Sequence, residues 1–464
     1  MSNNSVISFK KYILIFGDIA ILYFSLWLTL IIRYQADYNT GLWLKHFWPF
    51  TMVFAVWLII FYIDDLYEIN YNQGKAGLLS RLLRSMLIGI IFAIIIFYLG
   101  QNRLFTIRPQ RVLFIDAAFV TILIYLWHLL IRSLIKISGR ANGLMIIGYN
   151  KLAQEVITEI NKKSQFGLQL KTIILDSEND EVPEKLKAIT KYNQFDNLKN
   201  ICIDQKINTI ISTVHPRENT KLSKSLFECL PLKINFFEVA TFYEKITGKI
   251  PVTTIEQIWF LENLSENSKK PYESLKLLFD IFFSFILLLF SLPFIPLIAL
   301  IIKLDSKGPV FFTQIRTGKD GKTFKAIKFR TMVENAEHNG PQWASQNDPR
   351  VTSWGRFLRK TRIDEIPQLI NVLWGEMSLI GPRPERPEFV QQLETDIPFY
   401  RERLLLKPGL TGWAQIMGPS YGGSKEESLE KLQYDLFYLK NRSLALDLSI
   451  LLKTVRTVLS VKGQ

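Results

Sequence analysis

Residues 275–302 read LKLLFDIFFSFILLLFSLPFIPLIALII. The run is long enough to cross about 30 Å of hydrocarbon as a helix. Its middle, Ser291-Leu292-Pro293-Phe294-Ile295-Pro296, holds two prolines. A proline inside a helix removes a backbone hydrogen bond and clashes with the preceding turn. Two readings follow: a kinked transmembrane helix, or a re-entrant helix that enters and leaves the membrane on one face. The charge beyond the run separates them. From Lys303 to Arg362 there are 13 Lys and Arg against 5 Asp and Glu, a net of +8. A fifth crossing would carry that charge outside, whereas cationic segments stay cytoplasmic. The charge favours the re-entrant reading.

Toward the N-terminus lie four more apolar segments, Tyr12 to Ile32, Phe47 to Ile63, Leu82 to Leu99 and Val112 to Ile131. Each has the length of a spanning helix. Lys10, Lys11, Lys75, Arg81, Arg84, Arg132, Lys136 and Arg140 fall on one side of them; Arg33, Lys45, Arg103, Arg108 and Arg111 fall on the other. The excess predicts a cytoplasmic N-terminus and a cytoplasmic exit after the fourth helix. The first segment has no small-residue cleavage site after it, so it is expected to be retained rather than removed as a signal peptide. The 464-residue chain is 48% hydrophobic with a net charge of +14. In a membrane protein such a charge points to anionic headgroups or phosphorylated substrates. The cations cluster beside membrane segments, which argues against nucleic acid as a partner. The two cysteines, Cys202 and Cys229, and four scattered histidines form no metal-binding spacing.

Residues 141–269 change character. Gly143-Leu144-Met145-Ile146-Ile147-Gly148 reads as a buried strand ending in a glycine turn, and Lys151 to Ile160 as a helix. Lys171 to Asp176 and Thr209 to Val214 read as further strands. The alternation predicts a Rossmann-like α/β domain. Its glycine fingerprint is incomplete, because Asn150 stands where the second glycine would be. Asp176 sits at a strand end, where a ribose-binding acid would be.

The chemistry-bearing residues follow the broken run. Arg359-Lys360-Thr361-Arg362-Ile363-Asp364-Glu365-Ile366-Pro367 places two adjacent carboxylates among cations. Proline is tolerated in a first helical turn, so Pro367 predicts a helix starting near Ile366 with Asp364 at or near its N-cap. There the helix dipole and the cations would keep Asp364 ionised, as a nucleophile toward phosphorus must be. The plainer reading is an N-cap with a surface ion pair to Arg359 or Arg362. Lys325-Ala326-Ile327-Lys328-Phe329-Arg330-Thr331-Met332 puts Lys328 and Arg330 on one face of a strand, suited to a diphosphate or to solvent. Gly381-Pro382-Arg383-Pro384 presents Arg383 rigidly or makes a simple turn. In Lys407 to Gln415, Pro408-Gly409 and Gly412 mark a tight loop, with Trp413 placed to stack on a base or sugar. Arg350 to Ile363, with Trp354, Phe357 and Leu358 among cations, suits a helix lying in the membrane interface; Leu444 to Val461 shows a similar stripe, suited equally to packing on the domain core.

The ordered set from about Lys276 to Gln464 resembles the bacterial sugar transferase family, the monotopic polyprenyl-phosphate glycosyl-1-phosphate transferases. It comprises KLLFD at Lys276, Thr313 to Gly318, the KFRTM run, NDPRVT from Asn347, the acidic pair, GPRP and PGLTGWAQ. The four helices and α/β domain before it resemble the long members that initiate exopolysaccharide and O-antigen synthesis. The resemblance implies three domains: residues 1–140 as a four-helix transmembrane bundle, 141–269 as a Rossmann-like cytosolic domain, and 270–464 as an α+β catalytic domain. The last would carry the re-entrant helix at about 275–302 and interfacial amphipathic helices. Asp364 would be the nucleophile, forming a covalent phosphosugar-aspartate as UMP leaves a UDP-sugar. Glu365 would share the catalysis and ligate Mg2+. Arg359, Lys328, Arg330, Arg316 and Arg383 would hold phosphates, and undecaprenyl phosphate would accept the sugar phosphate. The place implied is the bacterial inner membrane among its lipids, with the catalytic domain on the cytoplasmic face. The N-terminal helices would suit a homodimer.

Two departures stand out: Ser291-Leu292-Pro293 in place of Ser-Pro at the break, and Ile416-Met417 after WAQ where many members carry a basic residue. The rival readings are a membrane-tethered nucleotide-sugar dehydratase or epimerase, using the YxxxK spacing of Tyr272 and Lys276, and a non-enzymatic assembly scaffold. The first predicts a nicotinamide absorbance change; the second predicts that Asp364→Asn is harmless.

Overall fold

In a computed structural model, residues 3–67, 75–100, 110–138, 142–162, 167–175, 182–192, 195–217, 219–264, 269–334, 336, 348–419 and 424–459 are described. Arg103, Arg108, Arg140, Asp176, Asn347 and Val461 lie outside them. The chain divides into two compact units, Met1–Ile246 and Thr247–Gln464.

The first unit begins with four long helices, α1 (Asn3–Tyr34), α2 (Thr40–Ile63), α3 (Lys75–Gly100) and α4 (Gln110–Ser138). Each contains a span long and apolar enough to cross a membrane. Helix α1 packs on α2 and α4, and α3 on the same two. Leu22, Leu26, Phe50, Trp57, Leu82 and Val120 fill the interior. Phe16, Trp48, Leu87 and Tyr98 point outward, so the helices are apolar on both sides, as a lipid surround requires. Two buried polar pairs cross between α1 and α4: Ser25 Oγ donates to Asp116 Oδ1 at 2.7 Å, and His128 Nε2 lies 3.1 Å from Asp18 Oδ1.

The rest of this unit alternates strands and helices: β1 (Asn142–Ile147), α5 (Lys151–Lys162), β2 (Leu168–Leu175), α6 (Glu184–Lys187), β3 (Thr190–Tyr192), α7 (Leu198–Asp204), β4 (Ile207–Ser212), α8 (Thr220–Glu228), β5 (Asn235–Glu238) and α9 (Val239–Thr247). All five strands are parallel, in the order β3-β2-β1-β4-β5, which is the order of doubly wound nucleotide-binding sheets. Strands β3 and β5 escape a sequence reading because they are only three and four residues long. The turn after β1 uses Gly148 at φ +75°, where a Cβ would stand 2.1 Å from Thr213 Oγ1. Asn150 Oδ1 accepts the Ala153 N–H at 2.9 Å, so the side chain in the fingerprint gap caps α5 itself.

The second unit starts earlier than residue 270. Ile250, Val252 and Ile255, together with α10 (Gln257–Asn263), join a core built from Val390, Leu393, Leu432 and Leu436. Lys249 Nζ also pairs with Glu430 at 2.6 Å. The unit is α+β. Its hairpin is β6 (Phe311–Thr317) and β7 (Thr323–Phe329); its second sheet is the parallel pair β8 (Ser378–Ile380) and β9 (Gly409–Thr411). Around these lie α11 (Lys270–Ser291), α12 (Ile295–Asp305), α13 (Ser353–Lys360), α14 (Gln368–Leu373), α15 (Pro387–Asp396), α16 (Trp413–Met417), α17 (Lys425–Asn441) and α18 (Leu444–Leu459).

The apolar run of residues 275–302 is broken where its prolines predict. Helix α11 ends at Ser291, a 3-10 turn covers Leu292–Phe294, and α12 begins at Ile295. Ser291 Oγ donates to Leu288 O at 2.7 Å, a carbonyl that also accepts the Leu292 N–H at the end of α11. Both halves are anchored to this one unit. Asp280 Oδ1 accepts the Leu379 N–H at 3.2 Å, and Asp305 Oδ2 accepts the Trp354 N–H at 3.1 Å. In a continuous helix those two anchors would stand about 38 Å apart. Ile366 belongs both to the apolar cluster with Phe279 and Leu288 of α11 and to that with Ile295, Ile298 and Ile302 of α12.

The candidate active site

The acidic pair does not sit where Pro367 predicts. Asp364 and Glu365 lie in a 3-10 turn, Ile363–Glu365, and α14 begins only at Gln368, with Pro367 as its N-cap. Asp364 is therefore not the N-cap. The cause is Arg362, which adopts a left-handed conformation, φ 59° and ψ 13°. It ends the preceding turn, its N–H bonding to Arg359 O at 3.1 Å, and reverses the chain into the acidic turn. A left-handed non-glycine residue costs on the order of 1 kcal/mol, and Ile363 and Ile366, packed on α12, hold the turn against that cost.

The two carboxylates are both buried but differ in surroundings. Glu365 Oε1 accepts from Arg383 Nη2 at 2.7 Å and Arg362 Nη1 at 3.4 Å, and Lys328 Nζ stands 3.6 Å away. Burial alone would raise its pKa; Arg383, Lys328 and Arg362 outweigh it and hold Glu365 far below the usual carboxylate range. Asp364 Oδ1 is buried with no hydrogen-bond partner. Burial, then the charge of Glu365, pushes Asp364 up to about 6, opposed by Lys328, Arg359 and Arg362. The expectation of a nucleophile kept ionised by a helix dipole is thus replaced by a basic, poorly solvated carboxylate. Lys328 is pulled down to about 8 by burial, against the attraction of Glu365.

Among the other expected phosphate ligands, Arg359 donates from Nε to Thr331 Oγ1 at 2.8 Å. Burial lowers its pKa, and the charge of Asp364 is the largest opposing influence. Arg316 donates to Pro384 O at 3.1 Å and lies 3.7 Å from Glu385, so it braces the loop that carries Arg383. Arg330 is turned elsewhere: its Nη2 donates to Ser306 O at 2.7 Å and to Ile302 O at 3.5 Å, closing the end of α12. Its backbone N–H bonds to Val310 O at 2.9 Å, one residue beyond β7, while its guanidinium is spent on α12 and not on the acidic pair. Trp413 is likewise occupied, donating to Gly248 O at 3.0 Å and stacking on Phe437. Tyr272 and Lys276 both bond Asp447 Oδ2, at 2.8 and 3.1 Å, in a buried knot at the base of α11, not at a nicotinamide site.

Three residues that position the site have no motif to announce them. Asn371, fully buried, accepts the Ile327 N–H at 3.1 Å and donates to Lys325 O at 2.9 Å, which pins β7, and so Lys328, against α14. Arg403 donates to Arg383 O at 3.0 Å and pairs with Asp435 at 2.8 Å. The available signal is that polar Asn371 and Asp435 occur at inward positions of α14 and α17, where helix propensity and burial both disfavour them.

No group of three His, Cys, Asp or Glu gathers among the described residues. The donors for a divalent ion are two neighbouring carboxylates, one with a bare buried oxygen and one whose hydrogen bonds both land on Oε1. Mg2+ keeps several waters and binds through one or two carboxylates with substrate phosphates, so this donor set fits it.

Residues 271–461 match the family model described as bacterial sugar transferase. A UDP-N-acetylgalactosamine-undecaprenyl-phosphate N-acetylgalactosaminephosphotransferase of Aeromonas hydrophila is 39% identical over 239 residues, 51% of this chain and 55% of the relative. The UDP-glucose:undecaprenyl-phosphate glucose-1-phosphate transferase of Escherichia coli (strain K12) is 45% identical over 177 residues, 38% of each chain. The exopolysaccharide production protein PSS of Rhizobium leguminosarum bv. phaseoli is 42% identical over 188 residues, 39% of this chain and 93% of the relative. The chain belongs to the bacterial sugar transferase family. It matches only about half of the Aeromonas relative's length.

Proposed function

We propose that this chain transfers a sugar 1-phosphate from a UDP-sugar to undecaprenyl phosphate, releasing UMP, as the first membrane step of an extracellular polysaccharide. The observation that carries the reading is the division of labour in the acidic pair: Glu365 is clamped by Arg383, Arg362 and Lys328, whereas the Asp364 oxygen is bare. The relatives from Aeromonas hydrophila and Escherichia coli, a UDP-N-acetylgalactosamine and a UDP-glucose enzyme acting on undecaprenyl phosphate, supply the substrate classes.

In the first step an Asp364 oxygen attacks the phosphorus next to the sugar, the bond to the UMP oxygen breaks, and an acyl phosphodiester to the sugar forms. In the second, an oxygen of undecaprenyl phosphate attacks the same phosphorus and the Asp364 carboxylate leaves. Arg383, Lys328 and Arg359 surround the pair with positive charge, which phosphoryl transfer uses to neutralise developing charge. Mg2+ would be held by Glu365 with Asp364 beside it, and would neutralise diphosphate charge.

The anchoring of both halves of the broken run to one unit supports a re-entrant helix, and the +8 segment after it supports a catalytic face in the cytoplasm of a bacterial inner membrane. On this reading α1 to α4 form a transmembrane bundle, which would also serve a homodimer, and the β1–β5 sheet lies in the cytosol. The aromatic face of α13, with Trp354 and Phe357 each 49% exposed, supports a helix lying in the interface.

Membranes containing the full chain, incubated with undecaprenyl phosphate and a panel of radiolabelled UDP-sugars, should release UMP and yield labelled lipid with one of them. No transfer from any sugar would sink the proposal. Turnover should rise with pH through about 6, as Asp364 loses its proton, and fall above about 8, as Lys328 loses its charge. The sign follows from the direction of each shift: the carboxylate is active once deprotonated, the ammonium only while protonated. Lys328→Arg should carry the alkaline limb upward, because a guanidinium stays charged. A flat profile between roughly pH 5 and 9 would remove both assignments.

A further inference from the structure

A cavity of about 270 Å³ opens at the base of α11, lined by Lys276, Asp280, Lys319, Leu405, Lys407 and Arg442 among others. Four of its charged residues, Glu273 among them, are already engaged. Lys276 pairs with Asp447 at 3.1 Å, Arg442 with Glu273 at 2.8 Å, and Asp280 accepts the Leu379 N–H. Lys319, in the turn between β6 and β7, and Lys407, just before β9, are different: among the described residues neither ammonium has a hydrogen bond or ion pair. Lys319 is exposed and Lys407 half-buried, so both ammoniums are open to an anion entering the cavity.

The mouth says which kind. Its rim includes Leu277 and Leu405, each 45% exposed. Leu277 lies on the outward side of α11 with Leu275 and Leu278, while Lys276, Asp280 and Ser284 are buried against the domain. The cavity therefore opens where α11 turns from polar to lipid-facing, the level of phospholipid phosphates if the helix enters a membrane there. A free phosphate has no use for an apolar rim; an acyl chain does.

We propose that this cavity binds the phosphodiester headgroup of an anionic phospholipid of the phosphatidylglycerol class, apart from the Asp364 site, with Lys319 and Lys407 on the phosphate and the acyl chains leaving along Leu277 and Leu405. The proposal rests on the membrane-entering reading of α11.

The full-length chain, delipidated in detergent, is titrated with phosphatidylglycerol and with phosphatidylcholine, and bound lipid is counted by native mass spectrometry. Lys319→Ala/Lys407→Ala should weaken phosphatidylglycerol binding by roughly thirty-fold and leave phosphatidylcholine unchanged. Lys322→Ala/Lys325→Ala removes two exposed lysines of the same hairpin outside the cavity and should change little. Equal losses in the two doubles would mean bulk electrostatics and overturn the site. Displacement of the bound lipid by millimolar inorganic phosphate would overturn the lipid assignment. Because the readout is lipid retention, a chain without transferase activity would sink the proposed reaction and leave this result standing.

Discussion

Asp364→Asn is expected to abolish sugar-phosphate transfer, by on the order of 10⁴-fold or more, while the protein still folds and inserts. The carboxamide keeps the shape of the buried side chain but has no oxygen that can displace UMP, and removal of a nucleophile costs far more than removal of a binding contact. Stability should not fall. The folded state raises the Asp364 pKa, so it favours the protonated form, and whatever that form contributes is lost as pH rises through about 6. At neutral pH the wild type therefore keeps a poorly solvated charge that the variant lacks. UMP release and the thermal midpoint should be measured on the same membranes. Retention of more than about a tenth of wild-type turnover would remove Asp364 as the nucleophile and revive the scaffold reading.

Asp447→Asn is expected to be the most damaging single change to the fold of the second unit, with little direct part in the chemistry. Asp447 is 2% exposed and receives the Tyr272 hydroxyl at 2.8 Å, the Tyr438 hydroxyl at 2.7 Å and the Lys276 ammonium at 3.1 Å. Neutralising it takes from buried Lys276 its hydrogen-bonded counter-charge, with Asp280 the remaining carboxylate nearby, and breaking a buried pair from one side costs about 3–5 kcal/mol. For a unit of this size the thermal midpoint should drop by roughly 10 °C. The second change Lys276→Met removes the stranded charge, so the double variant should melt above Asp447→Asn alone. If it melts lower, the pair is not the source of the stability.

The contrast between these residues separates what a sequence can and cannot show. Asp364 is legible because its role needs a chemical type, a neighbour and a cationic setting, all local in the chain. Asp447 is not, because its partners come from 171 and 175 positions upstream and from the adjacent helix. The same distinction explains the YxxxK spacing of Tyr272 and Lys276. It is a true local pattern, but its meaning depends on the Asp447 that α18 delivers to it.

By itself the sequence determined the apolar spans, the break at Pro293, the alternation that builds the parallel sheet and the acidic pair, because periodicity, proline chemistry and charge are local properties. Only the tertiary structure decided that the pair sits in a 3-10 turn entered through a left-handed Arg362, that Arg330 closes a helix end, and that Arg383, Arg362 and Lys328 converge on Glu365. Those outcomes depend on which distant groups meet in a buried, poorly screened space, where one unpaired charge costs more than any local preference can offset.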